Sequence, residues 1–415
     1  MRKHIVIVPV AMALAGLAII PYSRGEFAAL FFGMRGALYS GLAHHRSALA
    51  DYDRVIRFRP SRAEAWFSRG TALLELGDYQ GAAGSFTRAI ERNGDHGRAY
   101  RERGHAYAAM GFRARAIADQ DRAIRINARD ARAYNLRGKA YLSLGLNNTA
   151  LADFSQAVRF DPANADAFYQ KGLAQSALNR HRAAILDYTH AIALNGYRPE
   201  IFENRGIANH KLMRLKKAIW DFGRVVYLSP ENARGYYMRG LAYADSGERK
   251  RAIADFDRAI ELEWSFAAAY ISRGIANSVL KRYGRAIEDF DSAIHSAPAL
   301  GEPYYRLGAV YAEDLKQFDR AIEVFTRAIA HNPRDARAYM ERGIVYARDL
   351  KRYRRAIEEF DHAVALDPRL ALAYYSRGTA FHKLGRAWPA CRDWIRACKL
   401  KYPPVCMFLA ASNAC

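Results

Sequence analysis

Arg273 stands directly before Gly274, and Asp289 follows that glycine by fifteen residues. The same two charges recur along the chain. Arg35, Arg69, Arg103, Arg137, Lys171, Arg205, Arg239, Arg342 and Arg377 each precede a glycine, and Asp51, Asp119, Asp153, Asp187, Asp221, Asp255, Glu359 and Asp393 follow at fifteen or sixteen residues. A guanidinium facing a carboxylate can form two parallel charge-assisted hydrogen bonds, so ion pairing is the chemistry this spacing offers. One stretch carries Leu307 and Val324 in place of both charges. Joint loss is what a pair predicts, so each cation is expected to face the anion of its own unit. Arg69, with Ser85 where the carboxylate should be, is the exception. A partly buried pair of this kind sets register more than it adds net stability.

The second reactive set is Cys391, Cys398, Cys406 and Cys415, the only cysteines of the chain. Cys391 and Cys398 are seven residues apart, which on one helix face is about 10 Å and too far to bridge. Tyr402-Pro403-Pro404-Val405 breaks the chain, and a tail folding back antiparallel brings Cys398 to Cys406 and Cys391 to Cys415. Nested disulfides are expected over free thiols, and over zinc, for which no CxxC is present. No GxSxG elbow, GxxxxGK[ST] loop or HExxH occurs, and the histidines scatter, so a chain without catalytic activity, cofactor or metal is expected. The formal charge of +22 favours acidic partners or anionic surfaces. Because the cations alternate with acids and no nucleic-acid module is present, nucleic acid is disfavoured.

What positions these residues is a repeat. Gly36, Gly70, Gly104, Gly138, Gly172, Gly206, Gly240, Gly274 and Gly308 stand 34 residues apart, with Gly343 and Gly378 at 35. Each defines one of eleven units, numbered here from one to eleven. An aromatic precedes each glycine by four residues, from Phe32 and Trp66 to Tyr374, and an alanine follows by twelve or thirteen, from Ala48 to Ala390. Apolar residues recur at three and four in both halves of a unit, which predicts two amphipathic helices per unit. Gly77, Gly111, Gly145, Gly247 and Gly385 sit where a first helix ends in a left-handed cap. Pro60, Pro162, Pro230, Pro298, Pro333 and Pro368 close the second helices. Repeats nine and ten carry one extra residue in EDLKQF and RDLKRY, expected in the turn between helices.

This aromatic, Gly, aromatic, Ala, Phe, Ala, Pro skeleton resembles the tetratricopeptide repeat (TPR) family over residues 29–402. Gln120 departs from it by replacing a second-helix aromatic, and Gln175, Asn209 and Asn277 replace the usual first-helix Tyr. The resemblance implies an all-α, right-handed superhelical solenoid of eleven helix-turn-helix units. It also implies a concave groove lined by first-helix residues six and three before the glycine and one and four after it. At those positions stand Arg98, Arg101 and His105 of repeat three and Arg132, Asn135 and Lys139 of repeat four, a concentrated basic patch. Tyr169, Tyr237, Tyr305 and Tyr375 hold the same groove position in repeats five, seven, nine and eleven. Leu136 and Asp166 stand where a carboxylate clamp would need Asn and a cation, so that clamp is not implied.

The ends bear on compartment. Residues 1–24 have Arg2 and Lys3 followed by an apolar run from Ile5 to Ile20, the outline of an export signal that is either cleaved or retained as an anchor, with a buried capping helix as the third reading. Residues 403–415 are expected to cap the solenoid. The expected function is a scaffold in the cell envelope, periplasmic or secreted and in the inner membrane if anchored, that binds a protein or peptide, an acidic segment included. The alternatives are a binder of anionic envelope polymer and a regulatory subunit of an envelope enzyme complex.

Overall fold

The computed structural model describes residues 24–195, 197–404, 406 and 407, and among them there is no strand. Twenty-two α-helices form eleven antiparallel pairs. Repeats one to four comprise α1 (Arg24–Gly41) and α2 (His45–Phe58), α3 (Ala63–Glu75) and α4 (Tyr79–Arg92), α5 (Gly97–Ala109) and α6 (Arg113–Ile126), and α7 (Ala131–Ser143) and α8 (Asn147–Phe160). Repeats five to eight are α9 (Ala165–Ala177) and α10 (His181–Leu194), α11 (Pro199–Lys211) and α12 (Leu215–Leu228), α13 (Ala233–Asp245) and α14 (Arg249–Leu262), and α15 (Ala267–Val279) and α16 (Tyr283–Ser296). Repeats nine to eleven are α17 (Gly301–Ala309) and α18 (Phe318–His331), α19 (Ala336–Ile344) and α20 (Tyr353–Leu366), and α21 (Ala371–Lys383) and α22 (Ala387–Lys399). The chain divides into two compact units between Ala208 and Asn209. Each is a TPR-type stack of helix pairs. No helix among the described residues is long and apolar enough to cross a membrane.

The repeat glycine exists to let a ring through. A Cβ on Gly240 would lie 2.6 Å from the ring of Phe256, and one on Gly172 would lie 2.5 Å from that of Tyr188. Both rings are fully buried, as is the alanine of each second helix, such as Ala252 and Ala184. Burying one such ring contributes roughly 1.5–3 kcal/mol, repeated in nearly every pair. Repeat three lacks the ring. Gln120, 1% exposed, takes its place beside Gly104 and donates from Nε2 to the Arg101 carbonyl at 2.8 Å. Of the three first-helix departures, Gln175 is buried, and Asn209 and Asn277 each donate to a buried carboxylate, Asp221 and Asp289, at 2.9 Å.

Second helices end two residues short of the prolines, at Phe58, Phe160, Leu228, Ser296, His331 and Leu366. First helices end on a left-handed residue. Gly77, Gly111, Gly145, Gly247 and Gly385 take φ from 74° to 84° there, and Ala43, Asn179, Met213, Lys281, Lys316 and Lys351 adopt φ from 54° to 58° in the other repeats. The extra residue of repeats nine and ten is not in the turn. It is absorbed by a π-helical turn that ends the first helix, Val310–Asp314 in one and Val345–Asp349 in the other, with Leu315 and Leu350 closing five-residue hydrogen bonds onto Val310 and Val345. The widened last turn takes up the extra residue within the first helix, so the connection to the next helix keeps the three residues found in other repeats.

Cys398 and Cys406 form a disulfide with Cα atoms 5.0 Å apart. Cys391 is disulfide-bonded as well, while Cys415, the partner expected for it, lies outside the described residues. So does the export or anchor segment, apart from Arg24 at the start of α1. Of the expected cap, only Pro403, Pro404, Cys406 and Met407 are described.

Candidate functional site

The charged residue before each repeat glycine points from the first helix toward the second. Arg103, Arg137, Arg239 and Arg377 hold Asp119, Asp153, Asp255 and Asp393 through two hydrogen bonds each, all between 2.6 and 2.8 Å. Arg273 does the same with one oxygen of Asp289, Lys171 reaches Asp187 at 3.0 Å and Arg342 reaches Glu359 at 2.9 Å. The aspartates are buried, Asp393 at 1% exposure. Burial opposes the Arg377 charge, but the hydrogen bonds it donates to Asp393 and Asp361 and the charges of both carboxylates together outweigh this and hold the guanidinium above its ordinary pKa. In repeat nine Leu307 and Val324 are both buried instead.

Seven cations of the ladder also reach back one repeat, to the residue sixteen earlier. Arg69, Arg137, Arg273 and Arg377 bind Asp53, Asp121, Asp257 and Asp361 at 2.6–2.8 Å. Arg103, Arg205 and Arg342 bind Thr87, Thr189 and Thr326. Each arginine thus ties its own helix pair to the previous one, and repeat two, with Ser85, draws its carboxylate from Asp53. The signal was present as DYD, DQD, DFD and EFD, two acids with one residue between, the first serving its own repeat and the second the next. These outer aspartates are 42–57% exposed, so each outer contact is weak by itself.

The six polar groove residues of repeats three and four do come together, but not as a free basic patch. Arg101, 15% exposed, binds Asp130 at 2.7 Å and Glu102 at 3.0 Å. Arg132 reaches Glu102 at 3.1 Å and His105 stands 3.8 Å from it. Lys139 and Asn135 both bind Asp166, at 2.7 and 2.8 Å, and Arg98 faces Glu64 at 3.4 Å. Burial raises the Glu102 carboxyl, yet His105, Arg132 and Arg101 together bring it below the usual carboxylate range. Asp166, also opposed by burial, is lowered by Lys139 and Asn135. Every cation of this cluster faces an anion, so the patch carries less net positive charge than its cations alone suggest. Glu102 and Asp130 escaped sequence reasoning because one sits off the groove positions and the other caps α7 through the Ala133 amide.

The four tyrosines are half-buried and serve the junction with the next element. Arg198 lies 5.1 Å from the Tyr169 ring, and Asn204 donates to its hydroxyl. Tyr237 packs on Phe266 at 4.9 Å, Tyr305 donates to Asp335, and Tyr375 lies 5.2 Å from Tyr402. Tyr375 also opens onto a groove. That groove, about 620 Å³, runs over the first helices of the last three repeats, with Ile344, Ala347, Leu372, Tyr375 and Thr379 on its walls. These are the family's groove positions, and the π turns add Glu313 and Arg348.

A tetratricopeptide repeat model matches residues 34–99, 237–300 and 307–368, a TPR repeat model matches 138–179, and a further tetratricopeptide repeat model matches 165–197. The chain belongs to the tetratricopeptide repeat family. Solved structures similar to this TPR chain include the C-terminal part of a TPR repeat-containing protein from Cytophaga hutchinsonii, 19% identical, with a TM-score of 0.50 over 58% of this chain and 99% of that one. Yeast Tom70 is 15% identical over 93% and 94%, with a TM-score of 0.45. YrrB, a TPR protein with an unusual peptide-binding site, is 27% identical over 45% and 96%, with a TM-score of 0.43. Among curated proteins none matches. TPR repeats are interaction scaffolds, and among the described residues of this TPR chain no group of His, Cys, Asp and Glu could hold a metal ion.

Proposed function

We propose that this TPR chain is a non-catalytic scaffold in the cell envelope that holds an extended peptide segment of a partner protein on the first-helix face of repeats nine to eleven. The groove of about 620 Å³ carries this reading, because it lies at the family's groove positions and keeps apolar walls open to a ligand. Two observations support the envelope: the basic start and apolar run of residues 1–24, and the Cys398–Cys406 disulfide, a bond that persists in oxidising compartments.

The +22 charge favours the second reading, an anionic polymer held by scattered Lys and Arg. Salt separates the two, since phosphate- or sulfate-type binding through many cations falls steeply with ionic strength while an apolar groove does not. A labelled random peptide pool and dextran sulfate, each titrated against the full chain at low and physiological salt, test this. Peptide binding that persists in salt and is lost in Leu372→Arg supports the groove. Binding of dextran sulfate alone, unaffected by Leu372→Arg, supports the polymer.

A further inference from the structure

One side chain in the groove of the last three repeats has chemistry that nothing around it completes. Glu341, in α19 two residues before Gly343, is half-buried and lines the groove. Among the described residues its carboxylate makes no hydrogen bond and no ion pair. The cations near it are already engaged. Arg348 is held by both oxygens of Asp349 at 3.1 Å and by Glu313 at 3.3 Å, and Arg337 lies over the Tyr305 ring at 4.9 Å. Lys383, the remaining cation of the lining, is exposed at the rim. Burial raises the Glu341 carboxyl above its ordinary pKa, Glu313 adds to this, and Arg337 and Arg348 oppose it without cancelling it.

A half-buried carboxylate whose nearby arginines stop short of a hydrogen bond is held at a cost that a ligand cation in direct contact would relieve. The trough is shaped for more than a lone amine. Leu372, Ile344 and Tyr375 offer apolar wall, while Ser376 and Thr379 offer hydroxyls, the latter already donating to the Tyr375 carbonyl at 2.9 Å and so free to accept. A π turn sits directly at the trough, placing Ala347 and Arg348 on its wall, and such turns in helices often mark functional sites.

We propose that this trough reads a lysine or arginine of an extended peptide, the cation meeting Glu341 while an apolar neighbour packs on Leu372 and Tyr375. The inference rests on the peptide-groove reading above and sharpens it, because it gives the occupant a basic character although the chain itself is strongly basic.

The test uses the full chain and three labelled peptide pools of random sequence around a fixed centre: lysine, norleucine or glutamate. Fluorescence anisotropy is expected to show the lysine pool binding about tenfold tighter than norleucine, as a charge-assisted contact implies, with glutamate weakest. Glu341→Gln should reduce the lysine pool to the norleucine level, and Glu341→Lys should transfer the preference to the glutamate pool, a gain that misfolding cannot produce. No lysine preference in the natural chain, or a preference that survives Glu341→Gln, overturns the inference. If the pools bind without preference and Leu372→Arg removes that binding, the groove reading stands and this one is wrong. If no pool binds, both fall.

Discussion

Arg239 and Asp255 form the simplest member of the ladder, since Gly223 occupies the position sixteen residues back and Tyr243 the place where repeat eight has Asn277. Repeat eight is a triad instead, with Asn277 and Arg273 sharing Asp289. Arg239→Leu leaves Asp255 buried without its partner, for which a loss of about 3–5 kcal/mol is expected. Adding Asp255→Val copies the Leu307 and Val324 arrangement of repeat nine and should return the chain to within about 1 kcal/mol of the natural one. Thermal or denaturant unfolding of both variants checks this, and equal losses would refute the pairing as the source of the effect. The pairing within a repeat was legible because its loss in repeat nine is joint. The tie to the previous repeat was not, because a search for one partner per unit stops at the first acid of DFD and never asks what the second does. The neutralised cluster of repeats three and four was missed for a related reason. Groove positions name the cations, whereas Glu102 and Asp130 stand off those positions and Glu64 holds the groove position of the preceding repeat.

At the scale of the helix, the 34-residue period revealed both helices of each pair, their proline stops and the glycine under each ring, because each is a local steric rule repeated many times. The place of the inserted residue was not legible. A loop and a π turn absorb it equally well on paper, and only the hydrogen bonds from Leu315 and Leu350 distinguish them. First-helix caps offer a direct prediction. Lys281 holds φ at 57° in repeat eight, where other repeats have glycine, and a non-glycine residue is strained in that region. Lys281→Gly is therefore expected to stabilise by roughly 0.5–1 kcal/mol, read as a shift in the denaturant midpoint. A destabilised variant would mean that the lysine side chain contributes more than its backbone strain costs.

At the scale of the whole molecule, the Cys398–Cys406 disulfide bears on the compartment proposed above. In a solenoid each repeat contacts its neighbours, so the terminal repeat is held from one side only and benefits most from a covalent tie. Reduction of Cys398–Cys406 is expected to cost roughly 2–3 kcal/mol locally and to show first as loss of hydrogen-exchange protection in α22. Thiol trapping in cells should find both cysteines oxidised, and their recovery as free thiols would remove a support for the envelope. The most direct test of the central claim, that a partner lies on the first-helix face of the last three repeats, is photo-crosslinking in the native cell. A benzophenone amino acid is placed at Ser376 in the trough or, as a control, at exposed Glu358 on α20. The account predicts a discrete protein adduct from position 376 that disappears with Leu372→Arg and is absent from position 358. Adducts from 358 alone, or equal adducts from both, would contradict it.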